Sequence, residues 1–243
     1  MKQEIFEIVS QKRLTSDIVE INLKGNTDAI TNCGQFVNIM LDGFYLRRPI
    51  SICDYSEQGI KLIYKIVGSG THAMSKLQAG DKLDILTGLG NGFNVNVVCQ
   101  HPLVIGGGVG VPPIYRLTKE LIKLGKKPTV ILGFNDKNSV FYEDEFKALG
   151  VDVIVTTVDG SYALKGFVTD AIATLDYDYF FTCGPEPMLK AIYNTCKTQG
   201  QLSFEERMAC GFGVCMGCSC ETKYAYKRIC KDGPVLLKDE VKW

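Results

Sequence analysis

The sequence predicts a multidomain α+β protein in three parts: an antiparallel β-barrel at residues 1–98, an α/β domain with a parallel sheet at residues 99–200, and a small cysteine-rich module at residues 201–243. Three observations lead to this prediction. The first hundred residues contain short strand-like runs between turns, and the next hundred alternate strands with helices. Five of the ten cysteines lie in the last 34 residues.

The first part carries the barrel prediction. Alternating or β-branched apolar residues form six short runs, separated by turn residues such as Asp42-Gly43 and Gly80-Asp81. The predicted strands are Glu4–Val9, Ile18–Leu23, Gln35–Leu41, Ile50–Cys53, Ile60–Val67 and Lys82–Leu86. Six short strands at this spacing are typical of a small antiparallel barrel, and only Thr71–Leu77 has a helical pattern.

The second part alternates compact apolar runs with amphipathic segments. The predicted strands are Leu103–Ile105, Thr129–Gly133, Val151–Thr156 and, as the last strand of the sheet, Tyr179–Cys183. The predicted helices are Ile114–Leu124, Tyr142–Leu149, Val168–Thr174 and Pro187–Lys197. This alternation indicates a parallel sheet covered on both faces. Residues 201–243 show neither pattern and have few long apolar side chains, so we expect a metal to stabilise them.

Composition excludes several classes of function. Lys and Arg together number 27, as do Asp and Glu, so the net charge is zero and argues against nucleic acid or an anionic membrane as the main partner. No run of about 18 apolar residues is present. The start, MKQEIFEIVSQKR, does not resemble a signal peptide, so we expect a cytoplasmic protein whose clustered thiols serve metal or redox chemistry.

The clustered cysteines have the spacing C-x4-C-x2-C-x11-C, formed by Cys210, Cys215, Cys218 and Cys230. Three thiolates in one loop with a distant fourth are the plant-type [2Fe–2S] ligand pattern, here with a shorter gap to the fourth cysteine. The spacing therefore predicts a [2Fe–2S] cluster. Zinc is the alternative, but zinc ribbons usually pair two C-x2-C knuckles and this chain has one. Cys220 is left over: its C-x-C spacing would allow it to replace Cys218 as a ligand, but it is predicted to be a free, buried thiol.

Two loops rich in glycine or proline follow predicted strands of the α/β domain. Gly106-Gly107-Gly108-Val109-Gly110 separates a strand from a helix, and Cys183-Gly184-Pro185-Glu186-Pro187-Met188 follows Tyr179–Cys183. Ligands of open α/β sheets bind at the carboxyl ends of strands, and a helix N-terminus there can accept a diphosphate. Tight turns and a proline-started helix would explain the same residues without a ligand.

The barrel carries a second candidate anion site. Arg47-Arg48-Pro49-Ile50-Ser51 places cations before a short strand, and Gly68-Ser69-Gly70-Thr71 begins the one predicted helix. A guanidinium beside a helix N-terminus can bind a diphosphate, although surface arginines and a turn explain either feature alone. The turn Gly88-Leu89-Gly90-Asn91-Gly92-Phe93 has no predicted role beyond structure.

In this order, the three parts resemble the ferredoxin reductase-like flavoproteins, and most closely the electron-transfer subunits of NAD-dependent (class 1B) dihydroorotate dehydrogenases. The resemblance covers essentially the whole chain. Its most specific stretches are Glu205-Glu206-Arg207-Met208-Ala209, which leads into the cysteine run, and Cys230-Lys231-Asp232-Gly233-Pro234-Val235. Related hydrogenase and sulfide dehydrogenase subunits tend to carry a GxGMCGxCR form, which this chain lacks.

The resemblance implies an FAD-binding domain at 1–98, an NAD-binding domain at 99–200 and a [2Fe–2S] module at 201–243. The flavin motif falls on Arg48-Pro49-Ile50-Ser51, with Arg48 at the FAD diphosphate and Ser51 near flavin N5. Cys183 would face the reactive edge of the nicotinamide, which makes Ser51 and Cys183 the candidate catalytic residues. Further FAD contacts are expected at Ile63, Tyr64, Lys65, Gly70 and Thr71. NAD contacts are expected at Gly106, Gly107, Gly108, Gly110, Cys183, Gly184, Pro185 and Met188.

The implied activity is electron transfer along the route NAD(H), FAD, [2Fe–2S] and then the FMN of a separate catalytic subunit, in pyrimidine (UMP) biosynthesis. FAD belongs in the middle because nicotinamide passes hydride whereas the cluster passes single electrons. The implied partner is an FMN-containing (β/α)8-barrel subunit in a heterotetramer of two copies of each chain. NAD is preferred over NADP because Asp136 after Thr129–Gly133 would repel a 2′-phosphate.

Two other functions remain open at this point. The chain could be a stand-alone NAD(P)H-dependent reductase for a ferredoxin, hydrogenase or oxygenase, although its balanced charge offers no strong docking patch. It could also be a zinc-stabilised nucleotide sensor without turnover. Flavin and iron–sulfur absorbance would separate these possibilities, since a colourless zinc protein would exclude the redox function.

Overall fold

The computed structural model describes residues 1–243 and begins with a closed six-stranded antiparallel barrel. Its strands are β1 (Lys2–Arg13), β2 (Ile18–Lys24), β3 (Phe36–Ile39), β4 (Arg48–Ser56), β5 (Gly59–Lys65) and β6 (Lys82–Leu89). Around the barrel they follow the order β1-β2-β5-β4-β3-β6, and α1 (Ser69–Met74) packs Met74 into the barrel core. The predicted antiparallel barrel is confirmed.

Alternation of apolar residues explains why these segments form a barrel. In β6 every second side chain is buried, because successive side chains of a strand point to opposite faces. The barrel interior is filled by Phe6, Ile21, Ile39 and Leu62, among others, all fully buried. The interior therefore has no room for a ligand, and any bound cofactor must lie on the outside of the barrel.

The second domain is a seven-stranded sheet with helices on both faces. Its strands and helices are β7 (Pro102–Gly107), α2 (Val111–Lys123), β8 (Thr129–Phe134), α3 (Glu143–Lys147), β9 (Asp152–Thr157), β10 (Leu164–Lys165), α4 (Val168–Ile172), β11 (Tyr179–Cys183), α5 (Glu186–Thr195) and β12 (Gly200–Ser203). The strand order is β10-β9-β8-β7-β11-β12-β15, with all pairs parallel except the last.

The edge of this sheet differs from the prediction. β11 was predicted to be the last strand, but β12 (Gly200–Ser203) extends the sheet beyond it, and β15 (Val235–Leu237) then adds an antiparallel strand. The predicted boundary between residues 200 and 201 falls inside β12. All four residues of β12 are buried, but only Leu202 is strongly apolar. The sequence of β12 therefore carries no apolar pattern that would predict a strand.

The last part of the chain is a loop, a hairpin and a return to the sheet. β13 (Ser219–Glu221) and β14 (Tyr226–Arg228) pair with each other, whereas β15 pairs with β12. The longest helix of the protein, Val111–Lys123, has 13 residues, and none has the length and hydrophobicity of a membrane span.

The barrel and the α/β domain share one hydrophobic core. Ile18, Cys53 and Ile63 of the barrel pack in the same cluster as Val104 and Val111 of the α/β domain. Helix α2, which follows the glycine-rich loop, packs against β4, the strand that carries the flavin motif. The two domains therefore hold their candidate cofactor residues in a fixed relation.

Candidate functional site

The cysteine loop has a backbone that only glycine adopts easily. Gly211 has φ +77° and Gly213 has φ +90°, both in the left-handed region. A Cβ on Gly211 would also lie 2.4 Å from Asn38 Nδ2, and one on Gly213 would lie 2.5 Å from the Lys231 side chain. The two glycines therefore let the loop turn tightly and approach the barrel and its own return segment.

The four predicted ligands are brought together as two pairs. Cys210 lies beside Cys215, and Cys218 lies beside Cys230. Backbone N–H groups also donate to sulfur: Cys215 N lies 3.5 Å from Cys210 Sγ, and Cys230 N lies 3.4 Å from Cys218 Sγ. Gly217 N lies 3.5 Å from Cys215 Sγ in the same way.

The protonation of the thiols follows from these contacts. Burial disfavours the thiolate of Cys210, but backbone N–H groups of Cys215, Phe212 and Val214 outweigh it and hold its pKa down at about 6. Burial, together with the neighbouring thiol of Cys218, raises the pKa of Cys230 to about 12. Cys210 thus supplies a ready thiolate, whereas Cys230 needs a bound cation to ionise.

This arrangement fits a two-iron cluster. Each iron of a [2Fe–2S] cluster takes two thiolates, which the two pairs supply, and N–H groups directed at sulfur are the usual support for such a cluster. A structural zinc ion needs its four ligands around one point. No three His, Cys, Asp or Glu side chains converge on a single metal-sized position. Cys220 lies outside both pairs on β13 and is half-buried rather than buried.

One side chain closes the module on itself, and another fixes it to the barrel. Arg228 forms a bidentate ion pair with Asp232, at 2.9 and 3.2 Å, and donates to the Gly213 carbonyl. Asn91 donates to the carbonyls of Asp232 and Val235 and accepts from the Val235 backbone. The third glycine-rich turn, which had no predicted role, therefore docks the cysteine module on the barrel.

The flavin motif lies on β4, and the structure brings part of the predicted FAD set together. A Cβ on Gly70 would lie 2.1 Å from Arg48 Nε, so the guanidinium rests directly on the first turn of α1. Thr71 Oγ1 accepts from the backbone of Val67 and Gly68 and shapes that turn. The guanidinium also lies 4.9 Å from the centre of the Phe44 ring. This arrangement holds a cation beside free backbone N–H groups.

The predicted contacts on β5 divide by strand alternation. Tyr64 is only 2% exposed and points into the barrel, where its hydroxyl donates to Gln11 Oε1 at 3.3 Å. Its ring therefore lies away from Ile63 and Lys65, which face the α/β domain. Only the backbone of Tyr64 is available to a ligand on that side.

The glycine-rich loop lines a cavity of about 650 Å³ at the carboxyl ends of β7, β8 and β9. Gly107 and Gly108 form part of its wall together with Pro185 and Met188, four of the predicted NAD residues. Lys65 of the barrel, predicted as an FAD contact, lines it too. Residues that the sequence did not single out also contribute, namely Phe134, Asn135, Ser139, Thr156 and Phe167. The rule that ligands bind at strand carboxyl ends would have identified Asn135 and Thr156.

The glycines of this loop serve different purposes. A Cβ on Gly110 would lie 2.2 Å from the Cys183 carbonyl oxygen, and one on Gly106 would lie 2.7 Å from Ile114. Both are needed for packing, as is Gly184 against Met188. Gly108 has open space around it and φ +51°, so its backbone conformation, rather than packing, favours glycine there. It lies in the wall of the cavity.

Cys183 lies at the end of β11, and burial raises the pKa of its thiol to about 12. The thiol is therefore neutral at physiological pH and suited to packing rather than to nucleophilic attack. Ser51 is half-buried on β4, in register with Phe36, and no hydrogen bond joins it to Cys183. Asp136 accepts from Ser139 N and Oγ, so its carboxylate is fixed beside Ser139, which lines the cavity.

Comparison with known proteins assigns this architecture. A model of the iron-sulfur cluster binding domain of dihydroorotate dehydrogenase B matches residues 205–242, and a model of the oxidoreductase NAD-binding domain matches residues 104–194. The electron transfer subunit of dihydroorotate dehydrogenase B (NAD(+)) from Fusobacterium nucleatum is 44% identical, with 99% of both chains covered. The corresponding subunit from Bacillus pumilus is 42% identical, with 99% of this chain and 98% of that one covered.

The chain belongs to the family of dihydroorotate dehydrogenase B electron transfer subunits.

Solved structures agree with this assignment. A structure described as the NADH-dependent reduced ferredoxin-NADP oxidoreductase of flavin-based electron bifurcation superposes with a TM-score of 0.89 at 30% identity, covering 98% of this chain and 90% of that one. A ferredoxin reductase of carbazole 1,9a-dioxygenase shares the fold alone, with a TM-score of 0.70 at 19% identity over 79% of this chain and 64% of that one. The predicted family, fold and cofactor set of [2Fe–2S], FAD and NAD are confirmed.

Proposed function

We propose that this electron transfer subunit carries electrons between NAD(H) and the FMN of a dihydroorotate dehydrogenase catalytic subunit, through FAD and a [2Fe–2S] cluster. The observation that carries the proposal is the position of the cysteine module against the flavin motif. β4, which bears Arg48 to Ser51, pairs directly with β3, whose outer side chains contact the module.

The register makes this neighbourhood specific. Phe36 lies opposite Ser51 and Asn38 lies opposite Pro49, so these four side chains share one face of adjacent strands about 4.8 Å apart. Phe36 packs in the same core as Cys218 and Cys230. Asn38 Nδ2 donates to the Cys210 carbonyl. A flavin at Ser51 would therefore lie beside the cluster ligands, as single-electron exchange requires.

FAD, when bound, can exchange a hydride with nicotinamide and single electrons with the cluster. In the proposal, Arg48 with Gly70 and Thr71 holds the FAD diphosphate, while Pro49, Ile50 and Ser51 support the ring and Ser51 lies at N5. Ile63, the Tyr64 backbone and Lys65 would line the opposite side of the flavin. Gly107 and Gly108 would bind the NAD diphosphate, and Gly184 and Pro185 would shape the nicotinamide end beside Cys183.

The surface of the cysteine loop supports a protein partner. Val214 is 75% exposed, Met216 54% and Phe212 38%, and all three surround the exposed Cys215. Exposed apolar groups of this kind mark protein interfaces, and the zero net charge of the chain favours contact through shape and apolar surface. We assign this face to the catalytic subunit, in a cytoplasmic heterotetramer with two copies of each chain.

The test is to co-express the chain with a candidate FMN-containing catalytic subunit and to measure reduction of NAD⁺ by dihydroorotate. Reduction that needs both chains supports the proposal, and no gain over the catalytic subunit alone contradicts it. Val214→Glu should weaken assembly while the isolated chain keeps its visible spectrum. Val98→Glu, on a fully exposed residue away from the loop, is the matched control and should assemble normally.

A further inference from the structure

Asn38 is a buried polar side chain in the wall of the barrel. It is 1% exposed on β3, between Val37 and Ile39, which point into the barrel core. Alternation therefore directs Asn38 outward, together with Phe36, toward the face that carries the cysteine module. A buried amide costs free energy unless its donor and acceptor are both satisfied, so an asparagine at this position needs a reason.

One half of the amide has a clear partner. Nδ2 donates to the carbonyl oxygen of Cys210 at 3.2 Å, a contact between residues 172 positions apart in the chain. The same nitrogen would lie 2.4 Å from a Cβ on Gly211, so the loop presses directly on Asn38. Because a carbonyl accepts but cannot donate, this contact also fixes which end of the amide is nitrogen.

The other half of the amide has no partner. Oδ1 of Asn38 is buried and accepts no hydrogen bond. Its neighbour across the ladder is Pro49, which has no N–H to offer. The Asn38 backbone is fixed independently, because Arg47 donates to its carbonyl at 3.3 Å and pairs with Asp84 at 2.8 Å. The side chain is thus held in place with an acceptor that the protein leaves unused.

We propose that Asn38 is a positioning residue that connects the flavin to the cluster: Nδ2 holds the Cys210 loop, and Oδ1 accepts a hydrogen bond from an N–H or O–H group of FAD lying along Pro49 and Ser51. This inference rests on the proposed function for the location of the flavin. It assigns a role to a residue outside the flavin motif and outside the ligand set. The amide fixes the separation of the two cofactors, on which the rate of electron transfer depends steeply.

The test uses the full chain loaded with FAD and cluster, without the catalytic subunit. NADH is mixed in a stopped-flow instrument, and reduction of the flavin and of the cluster is followed separately. Each hydride brings two electrons, of which the cluster takes one and the flavin keeps the other. For Asn38→Ala we expect flavin reduction within twofold of wild type, cluster reduction about tenfold slower, and FAD binding about tenfold weaker for one lost hydrogen bond.

Asn38→Asp keeps the shape but removes the donor and adds negative charge, so it should also lower the cluster midpoint potential. A tenfold change in a one-electron equilibrium corresponds to about 59 mV, which a redox titration monitored by electron paramagnetic resonance resolves. Asn91→Ala is the matched control, because it removes hydrogen bonds between barrel and module on another side. It should leave the rate of cluster reduction within twofold of wild type and the midpoint potential of the cluster unchanged.

Loss of the cluster from the Asn38 variants but not from Asn91→Ala would also support the proposal. Wild-type rate and potential in both Asn38 variants would overturn it, as would the same change in Asn91→Ala. Unchanged FAD affinity in Asn38→Ala would show that Asn38 does not contact the flavin. A wild-type chain that binds no flavin or does not reduce its cluster with NADH would instead contradict the proposed function.

Discussion

Asp54→Asn should loosen the junction between the flavin strand and the nucleotide-binding domain. Asp54 stands on β4 three residues after Ser51, and its carboxylate lies 3.0 Å from Arg116 Nη1 and 2.6 Å from Lys119 Nζ. Both cations belong to α2, the helix that follows the glycine-rich loop. Arg116 also stacks 4.0 Å from the centre of the Tyr55 ring, which completes the junction.

The magnitude follows from the exposure of these groups. Asp54 is 20% exposed, Arg116 14% and Lys119 29%, so the two charged hydrogen bonds are only partly screened by water. A charged hydrogen bond contributes about 1.5–3 kcal/mol when buried and well under 1 kcal/mol when exposed. We expect Asp54→Asn to cost about 2 kcal/mol, which lowers the Tm of a chain of this size by about 4–8 °C.

Thermal unfolding of the cofactor-loaded chain measures the effect, with Glu221→Gln as the control. Glu221 pairs with Lys242 at 2.7 Å, but both side chains are about half exposed. Its loss should therefore cost under about 0.5 kcal/mol. Hydride transfer from NADH to the flavin should also slow in Asp54→Asn, because in the proposed function β4 would hold the flavin and α2 follows the loop that would bind NAD. Equal Tm values for the two variants would refute this account of the junction.

Three other predictions test individual contacts. Burial raises the pKa of Asp54, but hydrogen bonds from Lys119 and Arg116 outweigh it and hold the pKa below its usual value. The stability that these contacts contribute is therefore complete above about pH 4 and is lost as pH falls through the lowered pKa. Acid titration of the Tm should show this loss. Gly70→Ala should displace the Arg48 guanidinium and weaken FAD binding about tenfold or more in a fluorescence titration, with little change in Tm. Cys220→Ser should retain the iron–sulfur absorbance, whereas Cys218→Ser should lose it.

Much of the architecture was predictable because its signals are local. The four cluster ligands lie within 21 residues, so their spacing alone indicates the cluster, and the barrel strands alternate visibly. The strands β12 and β15 were missed because each has only three or four residues and is buried by its neighbours. Strand alternation places Tyr64 on the inner face with Ile60 and Leu62, but the family motif counts Tyr64 as an FAD contact without regard to that alternation.

Asn38 and Asn91 illustrate what the sequence alone does not provide. Asn38 belongs to no motif and Asn91 lies in a turn with no predicted role beyond structure, yet each acquires a partner more than a hundred residues away. Their roles follow only from register and packing. The same holds for Asp54, whose partners lie 62 and 65 residues along the chain.

The antiparallel pairing of β12 with β15 has a mechanical consequence. The cysteine module leaves the sheet at Ser203 and returns at Val235, and these two residues lie opposite each other in the ladder. Both ends of the module are thus attached to the same edge of the nucleotide-binding sheet. The module also hydrogen-bonds to the barrel through Asn38 and Asn91, so it links the edge of the sheet to the barrel and restrains motion between the two domains.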